Sequence, residues 1–217
     1  MITDAGTTYD WYEANARDYF AGTIDINMTM LYVPFLSYMR PYASILDAGC
    51  GSGRDTLYFA GRGYRVTACD YSPAMVKLAS RLTGQEIRQL SFQEVDFNDQ
   101  FDGIWACSSL LHVPMAEMHA AITRLSRSMK VDGVLYASFK YGHGEHHRNG
   151  RFCVDLDEEG AKDLIERHPE LAALRYWKSS DLREGRETEK WLNLLVRKTK
   201  PTKKITFLGM VQSPASP

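Results

Sequence analysis

Residues 45–55 read ILDAGCGSGRD, an apolar run that meets Asp47 and opens into glycines at positions 49, 51 and 53. A strand-type run that breaks straight into a glycine turn and a helix sets a ligand at the carboxyl end of a sheet. Glycines at alternate positions imply that something approaches the backbone too closely for side chains. The stretch is not a phosphate-binding P-loop, because no Gly-Lys-Ser/Thr ending follows. It also departs from the Gly-x-Gly-x-x-Gly dinucleotide fingerprint, since its third glycine comes one residue early.

Outward from this turn, strand-like and helix-like segments alternate from about residue 44 to 140 at the spacing of βαβ units. YRVTACD is the next strand and ends in Asp70; Ser72 then offers a helix N-cap, Pro73 a first-turn position and Gly84 a stop. EIRQLSF and FDGIWACSSLL read as the third and fourth strands, the latter apolar on both faces like a central parallel strand. Pro114 opens a helix with Met118, Ile122 and Leu125 on one side, and DGVLYASFKYG is a fifth strand. A polar loop, YGHGEHHRNGR, and a capped helix over residues 157–168 come next. LRYWKSSDLREGRETEKWLNLLVRK reads as a closing hairpin with a solvated tip at DLREGRETEK.

The expected architecture is therefore α/β: a Rossmann-like, doubly wound, seven-stranded sheet, mostly parallel with an antiparallel last strand. Residues 1–42 are aromatic-rich and form a helical lid, residues 43–200 form the main domain, and residues 201–217 read as a mobile tail. Within that tail KITFLGMV has the composition of an edge strand.

The chain has 217 residues, 44% of them apolar, and a formal net charge of -1, so no global basic field collects nucleic acid. The acidic N-terminus is unlike a signal peptide, and no apolar run approaches the roughly 20 residues that span a bilayer. Cys50, Cys69, Cys107 and Cys153 form no CxxC pair, which suits reduced thiols and a cytoplasmic protein without a membrane partner.

Asp70 lies 21 residues after Gly49 at a strand end, where a carboxylate can accept both hydroxyls of a ribose. Its alternative role is to cap the following helix. Asp47 would repel a pyrophosphate but can approach an α-ammonium group. A ligand with a ribose, a cationic amino-acid portion and no phosphate suits both carboxylates, and S-adenosylmethionine fits that description.

The run ILDAGCGSGRDTLYFAGRGYRVTACDYSPAMVKLAS resembles the cofactor half of class I S-adenosylmethionine-dependent methyltransferases, particularly the small bacterial type with GCGSGRD and SLLHV. The resemblance extends over about residues 9–198, through YEANARDYF, FDGIWACSSLLHVP, VDGVLYASFKYG and the final hairpin. It implies that Asp47, Gly49, Cys50, Gly51 and Gly53 lie at the methionine end of the cofactor. Asp70 would hold the ribose, Tyr71 would lie beside the adenine, and Cys107 with Ser108 would end the fourth strand under the methionine. The family usually carries an Asp after the third strand for the adenine amine; Ser91 and Phe92 stand there instead.

Methyl transfer from a sulfonium is an in-line displacement, so alignment and exclusion of water matter more than a fixed catalytic signature. His112 in LLHVP is a candidate base or substrate contact, or else a histidine bonded to backbone that holds the turn. Tyr19, with Tyr12 on the same broad helical side, is a candidate lid residue over the site or plain core packing. The histidine-rich HGEHHRNGR gives no fixed metal geometry. Lys140, Arg148 and Arg151 either meet an anionic substrate or are ordinary surface charge. The expectation is a methyltransferase for a small-molecule acceptor. The alternatives are an RNA or protein methyltransferase and a non-catalytic cofactor-binding module.

Overall fold

The computed structural model describes residues 4–200, so the reading of residues 201–217, including KITFLGMV, lies outside the described residues. Helix α1 (Asp4–Ala21) and helix α2 (Thr29–Leu36) precede the sheet. Then β1 (Ser44–Ala48), α3 (Arg54–Ala60), β2 (Arg65–Asp70), α4 (Pro73–Thr83), β3 (Ile87–Gln89) and β4 (Phe101–Ala106) follow the alternation expected. A single turn of 3-10 helix at Leu110–His112 leads to α5 (Met115–Ser128) and the long β5 (Met129–Tyr141). The chain continues through β6 (Gly144–Arg148), β7 (Arg151–Leu156), α6 (Glu158–Glu166), β8 (Leu171–Ser180) and β9 (Lys190–Lys198).

Strands β3, β2, β1, β4 and β5 lie side by side in parallel. β9 then pairs antiparallel to β5 and β8 antiparallel to β9. These seven strands are the expected sheet. Two further strands come from the segment read as a polar loop, which is an antiparallel hairpin, His146 opposite Cys153. β5 runs on past the end of β4, whose Ala106 is opposite Ala137, and β7 pairs with Lys140 and Tyr141 on the edge so vacated. An extended edge offers unpaired amides and carbonyls, and the hairpin satisfies some of them.

Each central strand feeds two cores because its side chains alternate between faces. Leu46, Ile104, Leu135 and Val196 enter the layer under α5 and α6. Ile45, Trp105, Tyr136 and Leu195 enter the other layer, with Phe35 of α2 and Phe59 of α3. Trp105 stacks on Tyr136 at 3.9 Å between ring centroids, and both are fully buried. Such aromatic burial dominates the packing of that layer.

The caps follow sequence logic. The Ser72 side chain accepts from the Met75 amide, and Asp157 accepts from the Gly160 amide, each closing a helix N-terminus. Helix α1 lies across α4 and the β6–β7 hairpin. Glu13 of α1 accepts hydrogen bonds from the Ser72 hydroxyl and the Ala74 amide (3.0 Å), so its carboxylate sits at the positive end of α4. The Phe152 amide donates to the Thr8 hydroxyl at 2.9 Å, which ties α1 to the hairpin as well.

Candidate functional site

The carboxyl ends of the parallel strands open into a cavity of about 740 Å³ beneath α1. Its floor is the glycine turn, whose conformation has two local causes. Gly49 has φ of 78°, and a Cβ there would come within 2.4 Å of the Ser109 Cβ. Gly53 has φ of 81° and faces Ala79 of α4, where a Cβ would come to 3.0 Å. The protein's own packing is enough to require glycine at both positions. Gly51 faces the cavity, with the Tyr19 ring 3.4 Å from where its Cβ would be. Beside the close ligand approach expected from the sequence, Gly49 and Gly53 thus have a packing cause of their own.

Gly49, Cys50, Gly51 and Asp70 line the cavity together. The Asp70 carboxylate accepts from the Gly51 amide at 2.8 Å and the Ser72 amide at 3.0 Å. It thus both braces the turn and marks the helix start, as its cap reading expected, while lining the cavity. Burial pushes its pKa upward, while those amides and that of Tyr71 oppose the rise. Tyr71 is half exposed on the rim against Tyr9, at 5.0 Å between centroids. Ser91 and Phe92 line the same wall, Ser91 occupied with Glu94 through its amide and hydroxyl, both at 2.8 Å. Cys107 lines the cavity too, its thiol pushed up to about 12 by burial and hence protonated near neutrality.

Asp47 and Gly53 are not among the cavity's walls. Asp47 shares a strand face with Ile45, which turns its side chain to the α3 layer. There its carboxylate accepts from the Thr56 hydroxyl at 2.6 Å, with burial raising its pKa. Asp47 thus stands behind the turn with Thr56, and not on the cavity wall where its approach to an ammonium group was expected.

Sequence reasoning missed its neighbour Asp55. This buried carboxylate takes Arg54 Nε at 2.6 Å and Nη2 at 3.0 Å, Tyr32 Oη at 2.5 Å and Trp105 Nε1 at 2.7 Å. Arg54 and these hydrogen bonds hold Asp55 ionised against the cost of burial. The readable signal was an Arg-Asp pair directly after the glycines. Arg54 lines the cavity beside the turn and also reaches the Thr23 carbonyl at 3.2 Å.

The far wall holds His112, Tyr12 and Tyr19. His112 Nδ1 lies 2.6 Å from the Phe152 carbonyl, so that nitrogen carries the proton and Nε2, 3.1 Å from the Tyr12 hydroxyl, accepts. Burial pushes the imidazole pKa down to about 4. His112 bonds the backbone carbonyl of Phe152, as one of its two readings expected, and it also lines the cavity. Tyr19 meets Tyr12 edge-on at 5.1 Å, and burial raises the pKa of both hydroxyls.

The tip between β8 and β9, expected to be solvated, is corrected at its base. Asp181 is buried there and accepts from Lys140, Arg183 and Trp191, and its carboxyl is held low by the Arg183 guanidinium and the indole N–H against burial. Among the described residues no three His, Cys, Asp or Glu side chains gather to hold a metal ion, and the histidine-rich stretch lies along β6.

Residues 46–137 match a protein family described as a methyltransferase domain. A curated relative, the magnesium-protoporphyrin O-methyltransferase of Rhodobacter capsulatus, is 34% identical over 88 residues, 38% of this chain and 39% of that protein. The chain spans about two fifths of the length of the curated relatives it matches. Among solved structures, the 1,6-didemethyltoxoflavin-N1-methyltransferase of Burkholderia thailandensis, with bound 1,6-didemethyltoxoflavin and S-adenosylhomocysteine, superposes with a TM-score of 0.75. It is 22% identical, and the match covers 90% of this chain and 89% of that one. The [4+2]-cyclase SpnF superposes with a TM-score of 0.70 at 16% identity, covering 91% of this chain and 96% of that one. The fold is that shared by these proteins, a mixed α/β Rossmann-like sheet with an antiparallel closing pair.

Proposed function

We propose that this chain, which carries a class I methyltransferase domain, uses S-adenosylmethionine to methylate a small-molecule acceptor. One observation carries the reading. A single cavity is lined both by Gly51 and Asp70, whose amide and carboxylate are joined by a hydrogen bond, and by residues of α1 and the β6–β7 hairpin. The donor set fits such a cofactor: a carboxylate with spare lone pairs for a ribose, an aromatic rim at Tyr71 and Phe92, and no lysine for a pyrophosphate in the turn.

In this reading Asp70 holds the ribose hydroxyls, with Tyr71, Ser91 and Phe92 flanking the base. The backbone at Gly49, Cys50 and Gly51 and the end of β4 at Cys107 hold the amino-acid end. Arg54, charged and fixed by Asp55, faces that end. The cofactor, when bound, supplies a methyl group on a sulfonium that departs as a neutral thioether. The chain's own work is to orient the acceptor and exclude water. His112 is neutral at physiological pH and its Nε2 is already engaged, so it fixes the Tyr12 hydroxyl instead of abstracting a proton. Tyr19 covers the glycine turn from above. Of the segment read as a lid, α1 covers the cavity, while α2 packs into the core through Tyr32 and Phe35.

The enclosing α1 and hairpin favour a small acceptor over RNA or a protein chain. Free thiols at all four cysteines accord with the cytoplasm. No helix among the described residues is long and apolar enough to cross a membrane. The likeness to a [4+2]-cyclase gives a second reading weight: a cofactor pocket of this fold without methyl transfer.

The test is calorimetry with S-adenosylhomocysteine. Wild type should bind it, and Asp70→Ala should bind at least tenfold more weakly while still unfolding cooperatively on heating. Unchanged affinity in that variant would refute the placement. Formation of S-adenosylhomocysteine from S-adenosylmethionine, accelerated by a small-molecule acceptor, separates the enzyme from the second reading.

A further inference from the structure

Within the described residues the cavity walls carry seven Lys and Arg side chains but five Asp and Glu, in a chain whose formal net charge is -1. Most of these cations are already paired. Arg54 has Asp55, Lys140 has Asp181 and Glu189, and Arg148 grips Asp155 through two bonds of 2.6 Å. Arg183 has Asp181 at 2.5 Å, and Arg186 has Glu189 at 3.7 Å.

Arg151 is different. Among the described residues it has no carboxylate partner; Lys190 has none either but donates to the Ser180 hydroxyl at 2.7 Å and the Glu187 carbonyl at 3.2 Å, whereas the one side-chain hydrogen bond of Arg151 is a long one of 3.4 Å from Nη1 to the Tyr12 hydroxyl. Its Nε is buried without any partner. The guanidinium is nonetheless held in place, 4.3 Å from the Trp11 ring centroid and 5.8 Å from that of Tyr12. A fixed, partly buried cation with unfilled donors is costly unless an anion completes it. Arg151 also stands on the wall shared with a second hollow of about 710 Å³, lined by Trp11, Asn15 and Asn149.

We infer that the methyl acceptor is a small organic carboxylate, its anionic group received by Arg151 at the junction of the two hollows. The inference rests on the reading of the site given above. Contacts run from Arg151 to Tyr12, from Tyr12 to Tyr19 and from Tyr19 to Gly51, so two aromatic rings separate this guanidinium from the cofactor's turn. Arg54, not Arg151, adjoins the turn. A guanidinium presents a planar fork of donors that matches a carboxylate in shape and charge. Of the three basic residues singled out in the sequence, Lys140 and Arg148 are spent on internal partners and Arg151 is free for a ligand.

The experiment uses the full chain saturated with S-adenosylhomocysteine and titrated with benzoate, phenyl phosphate and benzamide, followed through tryptophan fluorescence and calorimetry. Benzoate should bind at least tenfold more tightly than its neutral isostere benzamide. Arg151→Met should erase that preference and Arg151→Lys should keep part of it, both with wild-type affinity for S-adenosylhomocysteine. Equal binding of benzoate and benzamide, or a preference that survives Arg151→Met, overturns the inference. Tighter binding of phenyl phosphate than of benzoate overturns the choice of carboxylate. A tenfold loss of S-adenosylhomocysteine affinity in Arg151→Met also overturns it, by assigning Arg151 to the cofactor. Wild type that binds no S-adenosylhomocysteine at all refutes the underlying reading instead.

Discussion

Ser109 and Gly49 touch so closely that the turn tolerates no side chain at position 49. Gly49→Ala should therefore cost about 1–3 kcal/mol from overpacking and backbone strain. Chemical denaturation of the single variant and of Gly49→Ala with Ser109→Gly checks this, since removing the Ser109 side chain should restore part of the loss. His112 makes a pH-dependent contribution. Its folded pKa of about 4 lies below the ordinary 6.5, so the folded protein withholds a proton that the unfolded chain takes up. Its contribution is complete above 6.5, falls as pH drops from 6.5 through 4, and has no slope below that, with a limit of about 1.4 kcal/mol per pH unit. His112→Gln should flatten the fall in denaturation midpoint between pH 7 and pH 4.5 relative to wild type. Asp47 titrates with the opposite sign, because burial raises its pKa, so only the difference between variant and wild type isolates His112. The sequence disclosed His112, Asp70 and the glycines by residue type and spacing. It could not disclose that Asp47 turns to Thr56, because a strand's facing is set by its neighbours across the sheet.

Secondary structure was more legible than side-chain facing wherever periodicity was strong. Helix α4 begins and ends at the positions marked by Ser72, Pro73 and Gly84, because capping chemistry is local. The β6–β7 hairpin was hidden for the opposite reason. β6 is exposed along nearly its whole length, so GEHHR has no apolar alternation to betray it, although the apolar FCVDL of β7 was a usable sign. The base of the β8–β9 tip was hidden because its charges satisfy one another around Asp181 instead of facing water. At this scale the seating of α1 is testable. Glu13→Ala removes the carboxylate from the N-terminus of α4 and should cost about 1 kcal/mol. Limited proteolysis should then cut within α1 faster than in wild type, while cuts in the sheet stay unchanged. Equal cleavage rates would show that Thr8 and the aromatic contacts hold α1 without Glu13.

For the molecule as a whole, the parallel sheet with its reversed closing strand was readable because alternation of element types constrains topology strongly. The chamber was readable only in outline, as a helical lid at the N-terminus; the share taken by the β8–β9 tip was not, since it joins α1 and the hairpin from far along the chain. Binding of S-adenosylhomocysteine to the folded state alone should stabilise the whole domain. At a hundred times its dissociation constant the gain is about 2.7 kcal/mol, a rise in Tm of about 5–10 °C for a chain of this size. Thermal unfolding should show that rise in wild type and lose most of it in Asp70→Ala. The crowding of Gly49 by Ser109 and of Gly53 by Ala79 has a wider consequence. A descendant that abandoned catalysis would still inherit both glycines, since a chain lacking them would assemble poorly. Their presence is thus a record of architecture, and signs of a living enzyme are better sought where Arg151 and Tyr12 stand.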